Sequence, residues 1–266
     1  MDRSLAVRLS DAIGRWISQT VESAEADGVV IGLSGGIDSS LGAALSVEAL
    51  GAHRVLGIAM PCGGAGDAKR DALRIADHLG MEPKVVELDR VLEAFLAAGH
   101  PPDRSRLNVA NAKARLRMAM LYLHSPGRLV QGTSNLSEIS VGYWTKWGDG
   151  AADFQPQAGL YKDEVRLLAE VMGLPEWLLD KPPSAGLWKG QTDEGEMGVS
   201  YDQIRMYLDP EWRGDESVDP EAARRIELMM DTSEHKRRPA PAFDARGWIG
   251  EHGRNRTDKR VRQEPD

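Results

Sequence analysis

The chain has 266 residues, of which 41% are hydrophobic and 28% charged, so it can bury a sizeable core and lacks the composition of a disordered protein. Its formal net charge of -8 argues against a nucleic-acid partner, and neither a signal peptide nor a run of about 18 apolar residues that could span a membrane is found. The single cysteine, Cys62, cannot form an intramolecular disulfide, which fits the reducing cytoplasm.

The first 25 residues predict an amphipathic helix. Hydrophobic side chains recur four residues apart on one face, which we expect to be packing surface. They are Leu5, Leu9, Ile13, Ile17 and Val21, with Trp16 beside them.

Short apolar runs after this helix are typical of strands buried on both faces. They cover residues 29–33, 55–60, 84–88 and 129–131, and stretches of helical length lie at 38–50, 67–80, 89–98 and 108–124. Strands that alternate with helices predict an α/β fold with a doubly wound, mainly parallel sheet flanked by helices. Ligands of such sheets bind at the carboxyl ends of the strands.

The second half of the chain continues with helices predicted at 161–172 and 219–233, the latter with Asp219 as N-cap and Pro220 at the first helical position. Between them, residues 181–198 contain two prolines and four glycines, which predicts a long loop that closes over bound ligands. We expect one domain over residues 1–250 and a polar, disordered tail at 251–266.

A glycine-rich segment directly follows the first predicted strand and leads into a helix. It reads Gly32-Leu33-Ser34-Gly35-Gly36-Ile37-Asp38-Ser39-Ser40. Glycines let backbone N–H groups approach an anion, the serine hydroxyls add donors, and the helix N-terminus adds its positive dipole end. We therefore predict a phosphate site; the alternative is a strand-to-helix turn without a ligand. The segment lacks the Gly-Lys-Ser/Thr ending of a Walker A loop, which disfavours an ordinary kinase or GTPase.

This segment resembles the pyrophosphate loop of the ATP pyrophosphatase family, whose members split ATP between the α and β phosphates. From the first helix to Trp248 the chain is similar to the NAD synthetases of that family. Five further blocks carry the similarity: 111–118, 132–138, 142–153, 183–185 with 190–194, and 233–237. The resemblance implies an adenine nucleotide alpha hydrolase-like fold and a homodimer.

The resemblance also implies how ATP is held. The implied ATP contacts are Gly32, Leu33, Ser34, Gly35, Gly36, Ile37, Asp38, Ser39, Thr133, Lys162 and Ser184. Asp38 and Glu138 would hold a magnesium ion, and Lys162 would supply the cation that the glycine-rich segment lacks; these three are the predicted catalytic residues. Without the resemblance, Glu138 would be interpreted as a charge that stabilises a helix dipole.

For the second substrate, deamido-NAD, the resemblance implies five contacts. They are Arg115, Lys146, Asp153, His235 and Lys236. The residues alone leave other roles open: Arg115 fits a solvated helix face, and His235 with Lys236, placed just past the helix 219–233, fits a contact with the C-terminal dipole.

Aromatic residues in the block 142–153 have two open interpretations. Tyr143, Trp144 and Trp147 could stack on a substrate ring or pack in the core. Asp149 is a weaker candidate for a second magnesium ion.

The implied reaction is the amidation of deamido-NAD with ammonia, a ligation that forms a C–N bond and releases AMP and pyrophosphate through an adenylated nicotinate carboxylate. Glutamine-dependent relatives carry an additional amidohydrolase domain with a catalytic cysteine, for which this chain has no room. Ammonia is therefore the expected nitrogen donor, and Cys62 is interpreted as a small packing side chain. Residues 63–66 depart from the family pattern, because glycines and an alanine stand where relatives carry hydroxyls.

Two other functions stay open at this point. One is a different pyrophosphate-loop enzyme that amidates or thiolates another substrate, although such enzymes lack the block from Lys146 to Asp153. The other is a nucleotide-binding regulator without catalysis, against which the joint presence of Asp38, Glu138 and Lys162 argues.

Overall fold

The computed structural model describes residues 1–63, 66–184, 190 and 192–253. Its strands are β1 (Gly28–Leu33), β2 (Val55–Ala59), β3 (Lys84–Val85) and β4 (Arg128–Gln131). The helices are α1 (Arg3–Ser23), α2 (Ile37–Leu50), α3 (Gly66–His78), α4 (Asp89–Gly99), α5 (Arg106–Leu123), α6 (Leu136–Val141), α7 (Lys162–Val171), α8 (Glu176–Leu179), α9 (Asp193–Met197), α10 (Tyr201–Leu208), α11 (Pro210–Arg213), α12 (Pro220–Arg237) and α13 (Ala245–Gly253). The four strands form one parallel sheet in the order β3-β2-β1-β4.

Helices cover both faces of this sheet. On one face, Val29, Ile31 and Leu33 of β1 pack in the larger core with α1, α2, α3 and α7. On the other face, Val30 packs in a second core with β2, α4 and α5. Successive side chains of a strand point to opposite faces, so the unbroken apolar sequence of β1 is buried on both. The predicted fold class is confirmed.

The sheet creates a topological switch point beside β1. This strand pairs with β2 on one side and with β4 on the other. Where the strand order reverses in this way, a crevice opens outside the carboxyl ends of the strands. The residues that follow β1 and β4 therefore face the same crevice.

A third hydrophobic cluster joins α6, α10 and α12 around Val141, Ile204 and Ile226. Gly142 ends α6 with a φ of 68°, and a Cβ added to it would lie 2.1 Å from the Cβ of Ser233 in α12. Only glycine fits this approach, which brings the segment after α6 against the last turns of α12.

The edge strand β3 is shorter than the residues 84–88 predicted, and its side chains are exposed. The backbone still runs beside β2, because the N–H of Val86 donates to the carbonyl of Ala59 (2.9 Å) and that of Leu88 to Pro61 (3.0 Å). Pro61 has no N–H to return a bond, so the ladder ends there. The prediction of a strand buried on both faces was wrong at this edge.

Helix α12 extends beyond the predicted 219–233 and ends at Arg237. His235 and Lys236 therefore lie in its last turn and not past its end, as the sequence had suggested. The helix stops at Arg238 (φ -111°, ψ 148°), which precedes Pro239. A residue before proline is forced out of the helical conformation, which explains where the helix ends.

The predicted loop 181–198 is partly helical, since it contains α9. Asp193 and Met197 of this helix are buried, so this part is packed, contrary to the prediction. Residues 185–189 and 191, on which the prediction of a closing loop mainly falls, lie outside the described residues. Of the predicted tail, residues 251–253 belong to α13 and the rest lies outside the described residues as well.

Helix α1 carries the predicted stripe only in part. Ile13, Ile17 and Val21 are buried, whereas Leu5 and Trp16 are each 44% exposed. Across the described ranges, no helix combines the length and the apolar character needed to cross a membrane.

Candidate active site

The glycine-rich segment after β1 is folded by its own hydroxyls. The Oγ atoms of Ser34 and Ser39 lie 2.9 Å apart, and the N–H of Gly36 donates to Ser34 Oγ (3.2 Å). Ser40 Oγ donates to the carbonyl of Gly36 (2.8 Å), the N-cap residue of α2. The first N–H groups of α2 have no acceptor within the helix and are therefore available to an anion. We call residues 32–40 the phosphate loop.

Three charged side chains meet at the switch point. The Nζ of Lys162, the first residue of α7, lies 2.6 Å from Asp38 Oδ2 and 3.1 Å from Glu138 Oε1. Asp38 is in the first turn of α2, after β1, and Glu138 is in the first turn of α6, after β4. All three side chains are at most 20% exposed. We call Asp38, Glu138 and Lys162 the switch-point group.

Asn135, the N-cap of α6, joins two parts of this group. Its Oδ1 accepts the N–H of Glu138 (3.0 Å), and its Nδ2 donates to Asp38 Oδ1 (2.9 Å). One fully buried amide therefore starts the helix that carries Glu138 and fixes the carboxylate of Asp38.

Arg205 of α10 anchors the start of α7. It is buried and forms ion pairs with Asp163 and Glu164 (3.1 Å to Glu164 Oε1), the two residues that follow Lys162. The contact holds the first turn of α7, and with it Lys162, in place.

Tyr201 extends the switch-point group toward α9. Its hydroxyl lies 3.0 Å from both Glu138 Oε1 and Asp193 Oδ2, and the Lys162 Nζ is 4.7 Å from the centre of its ring. The hydroxyl of Tyr143 lies 3.1 Å from Asp193 Oδ1. Asp193 thus accepts from two tyrosines and ties α9 to the site.

Burial sets the charges of this group. It raises the pKa of Glu138 to about 7, against the attraction of Lys162 and with the repulsion of Asp38 and Asp193. Burial alone would lower the pKa of Lys162, but Asp38 and Glu138 outweigh it and raise that pKa above its ordinary value. Burial and the nearby carboxylates also raise the pKa of Tyr201. Lys162 and Tyr201 therefore stay protonated at neutral pH, whereas Glu138 gains or loses its proton near pH 7.

The two carboxylates of the group suit a magnesium ion by their chemistry. Magnesium prefers hard oxygen ligands, and one or two carboxylates suffice when substrate phosphates supply further oxygens. Among the described residues, no group of three or more His, Cys, Asp or Glu side chains is arranged to hold a metal ion. The ammonium of Lys162 marks a place between the carboxylates that accommodates positive charge.

The remaining predicted ATP contacts lie around the crevice. Thr133 follows β4, and its carbonyl accepts from Gln157 Nε2 (2.6 Å). Ser184 is exposed and follows Pro183, whose carbonyl accepts the N–H of Asp193 (3.1 Å). Residues 183 and 184 are therefore connected to the switch-point group through Asp193 and Tyr201.

Four of the five predicted deamido-NAD contacts lie together. Arg115 donates to the carbonyl of Lys146 (3.3 Å), and Lys146 Nζ donates to the carbonyl of His235. Lys236 donates to the carbonyls of Gly142 (2.7 Å) and Trp144 (2.6 Å). We call Arg115, Lys146, His235 and Lys236 the basic group. Hydrogen bonds from or to these four residues hold the segment that follows α6.

Asp153, the fifth predicted contact, is bound to the sheet. Its Oδ2 accepts the N–H of Val130 in β4 (2.7 Å), and its Oδ1 accepts from the hydroxyl of Tyr122 (3.2 Å). The carboxylate therefore fixes the backbone beside β4.

The aromatic residues of this segment differ in their packing. The ring of Trp144 lies against Gly150, where an added Cβ would be 2.0 Å from a ring atom, so this tryptophan packs in the structure. Trp147 is 60% exposed. Asp149 accepts the N–H of Thr145 (3.0 Å), and burial raises its pKa.

Cys62 lies in the second core and is buried. Burial raises the pKa of its thiol, which opposes formation of the reactive thiolate. The interpretation as a small packing side chain is consistent with this environment. Of residues 63–66, Gly64 and Ala65 lie outside the described residues.

The similarity to known proteins covers most of the chain. A family model described as NAD synthase matches residues 9–240. The chain belongs to the NAD synthase family. A relative from Methanococcoides burtonii, named NH(3)-dependent NAD(+) synthetase, is 47% identical over 208 residues, which are 77% of this chain and 79% of the relative.

Two solved structures resemble this one closely. NMN synthetase from Francisella tularensis has 37% identity and a TM-score of 0.84, and the match covers 90% of this chain and 98% of that chain. NH3-dependent NAD synthetase from Campylobacter jejuni has 31% identity and a TM-score of 0.77, with 92% and 100% covered. Neither thiolation nor a regulator without catalysis finds support among these members of the family.

Neither Asn135 nor Tyr201 was predicted from the sequence as a site residue. Asparagine three residues before Glu138 is the signature of an N-cap, which was a usable signal for Asn135. Nothing in the sequence indicates that Tyr201 reaches Glu138, because that contact depends on how α10 packs against α6.

Proposed function

We propose that this member of the NAD synthase family is a ligase that uses ATP to amidate deamido-NAD with ammonia, forming NAD, AMP and pyrophosphate. The observation that carries the proposal is the switch-point group, buried beside the phosphate loop at the carboxyl ends of β1 and β4. Relatives aligned over most of their own length are named NH3-dependent NAD synthetases, which supports ammonia as the nitrogen donor.

The chemistry explains why ATP is consumed. Ammonia cannot displace oxide from a carboxylate, so a nicotinate oxygen first attacks the α-phosphorus of ATP and the bond to the β-phosphate oxygen breaks. Ammonia then forms a bond to the acyl carbon, the bond to AMP breaks, and a proton is lost. Neither step needs a nucleophile from the protein.

The switch-point group and the phosphate loop suit the first step. Residues 32–39 of the phosphate loop, with the N–H groups of the first turn of α2, would hold the phosphates, and Thr133 and Ser184 would be further ATP contacts. Lys162 stays positively charged and would stabilise the negative charge that develops on pyrophosphate. Asp38 and Glu138 would hold a magnesium ion, which when bound neutralises phosphate charge.

The basic group suits the second substrate. Positive side chains placed close together favour the diphosphate of a dinucleotide, and His235 is exposed at their edge. We assign deamido-NAD binding to this group and to Asp153.

A homodimer and a cytoplasmic location are further parts of the proposal. The homodimer is supported by the resemblance alone. The cytoplasm is supported by the single, buried cysteine.

A second candidate substrate is nicotinate mononucleotide. The solved structure with a TM-score of 0.84 is named NMN synthetase, so its product by name is a mononucleotide. The two reactions share the activated carboxylate and differ only in what is attached to the ribose phosphate.

One assay tests both candidates. The full chain is incubated with ATP, magnesium and ammonium, and with either deamido-NAD or nicotinate mononucleotide at equal concentration. We expect equal amounts of NAD and AMP from deamido-NAD, no product with glutamine in place of ammonium, and a smaller kcat/KM for the mononucleotide. A larger kcat/KM for the mononucleotide would transfer the proposal to that substrate, and AMP formation with neither would reject both.

A further inference from the structure

A lysine outside the predicted site reaches the phosphate loop. Lys181 follows α8, and its Nζ donates to the carbonyl of Gly35 (2.9 Å) and to Asp71 Oδ2 (2.9 Å). Asp71 belongs to α3, and its side chain is only 6% exposed. Residues from three distant parts of the chain therefore meet on one peptide group of the phosphate loop.

This peptide group has little freedom. Gly35 has a φ of 72°, and an added Cβ would lie 2.8 Å from Asp71 Cβ and 2.9 Å from the carbonyl oxygen of Ala68. Only glycine fits here, so the loop rests directly on α3.

The lysine contact determines where the next N–H points. In a trans peptide the carbonyl and the following N–H point in opposite directions. A lysine that holds the carbonyl of Gly35 on the α3 side therefore directs the N–H of Gly36 away from α3, toward Ser34 Oγ (3.2 Å). Ser34 and Ser39 are ATP contacts that the resemblance implies, so the N–H of Gly36 points to the side of the loop where ATP is proposed to bind.

Asp71 in turn is held by arginines on its own helix. Arg70 Nε lies 3.3 Å and Arg74 Nη1 3.8 Å from Asp71 Oδ1, and the guanidinium of Arg74 lies 3.9 Å from the ring centre of Trp177 in α8. The second oxygen of Asp71 is thereby directed to Lys181. Because this carboxylate offsets the charge of Lys181, the lysine acts mainly on the carbonyl.

We propose that Lys181, oriented by Asp71, is a positioning residue that directs the N–H of Gly36 at the phosphates of ATP. The inference rests on the proposed function of the phosphate loop. It separates two roles of lysine in one site: Lys162 acts on charge, whereas Lys181 acts through the backbone.

The test measures binding of inorganic pyrophosphate and of ATP to the full chain by calorimetry, together with steady-state kinetics. Lys181→Met and Asp71→Asn should each raise the Kd for pyrophosphate and the KM for ATP about tenfold, since a hydrogen bond to a charged group contributes about that much. The KM for deamido-NAD should stay within about twofold, which a general loss of structure would not allow.

A double variant and a matched control complete the experiment. The double variant should bind pyrophosphate no more weakly than the weaker single variant, because both act on one contact. Arg166→Met, which removes an exposed ion pair with Asp180 near the same segment, should leave the Kd unchanged. If Lys181→Met does not fold, as judged by circular dichroism, Lys181→Gln replaces it.

Three results would overturn the inference. Unchanged or tighter pyrophosphate binding by Asp71→Asn, together with weaker binding by Lys181→Met, would mean that Lys181 contacts the anion directly. Additive effects in the double variant would mean that the two residues act separately. Unchanged binding in both single variants would reject the role of Lys181 and leave the proposed function standing. A wild-type chain that binds neither ATP nor pyrophosphate would reject both the role of Lys181 and the proposed function.

Discussion

At the switch point the charged side chains bond to one another, whereas around residues 142–153 they bond to the backbone. Lys162 contacts two carboxylates that arrive on different helices. Lys236, by contrast, spends its donors on the carbonyls of Gly142 and Trp144, and Lys146 donates to that of His235. The first arrangement concentrates charge where phosphates would react, and the second holds a polypeptide segment in shape. Replacing a residue should therefore have different effects in the two regions: loss of turnover at the switch point, and loss of substrate binding and stability around residues 142–153.

The largest effect is expected from Lys162→Met. Without the ammonium, Asp38 and Glu138 lose the positive partner that lies between them, and the charge that develops on pyrophosphate loses the cation proposed to stabilise it. We expect kcat for AMP formation to fall about 10³-fold, as is typical when a group that stabilises transition-state charge is lost. AMP and NAD are measured by chromatography.

Asp38→Asn should behave in the same way, and Arg166→Met, on the exposed side of the same helix α7, provides the control. A folded Lys162→Met protein that keeps more than a tenth of the wild-type activity would contradict the role of Lys162 in stabilising charge, and with it the difference between the two regions.

Lys236→Met tests the backbone-holding region. It removes two charged hydrogen bonds to carbonyls, each of which contributes about 1.5–3 kcal/mol. We expect the KM for deamido-NAD to rise roughly 10- to 50-fold and the midpoint of thermal unfolding to fall, with little change in the KM for ATP.

Arg238→Met is the matched control, because Arg238 follows the same helix and its ion pair within the described residues is an exposed one with Glu234 (2.6 Å). A rise in the KM for ATP equal to that for deamido-NAD would show that the two regions are not separable.

The pH dependence sharpens the comparison through Glu138. With a pKa of about 7, this carboxyl is protonated below that pH in the free protein and then binds a cation poorly. We expect kcat/KM for ATP to fall about tenfold per pH unit below 7, and more magnesium to shift this limb to lower pH. A profile flat from pH 5.5 to 8 would contradict the assignment.

Stability should change with pH in the opposite direction. The folded protein binds a proton at Glu138 more tightly than the unfolded chain does. The contribution to stability is therefore complete below the ordinary carboxyl pKa and is lost as pH rises through about 7. Relative to Glu138→Gln, the wild type should lose on the order of 1–3 kcal/mol across this range in urea unfolding.

The smallest effect is expected from Cys62→Ala. This thiol is buried in the second core and touches neither region. We expect turnover with ammonium to stay within about twofold and stability to fall by about 1 kcal/mol, the usual result of a small core truncation. Loss of activity in a folded Cys62→Ala protein would give the thiol a role that neither region explains.

The sequence predicted the switch point better than the region around 142–153. Buried strands and the glycine-rich segment indicated that residues after β1 and β4 would share one edge of a parallel sheet, and Asp38 and Glu138 do lie there. Both follow from local patterns and the general rule for such sheets.

Contacts between distant helices were not predictable in this way. The hydroxyl of Tyr201 reaches Glu138, 63 positions earlier, only because α10 packs on α6. The resemblance suggested Lys146 and Lys236 as substrate contacts, but Lys146 bonds to a carbonyl in the last turn of α12, and Lys236 bonds to carbonyls of the irregular segment after α6. The end of α12, however, could have been predicted from Pro239.

The amide group of Asn135 fixes both the start of helix α6 and the carboxylate of Asp38. Its oxygen and nitrogen face opposite partners, so α6 cannot shift along the sheet without pulling Asp38 with it. The separation of Asp38 and Glu138 is then not an independent degree of freedom of the molecule. The distance between the two carboxylates is therefore kept during ordinary thermal motion, and it changes when the Asn135 amide loses one of its two hydrogen bonds.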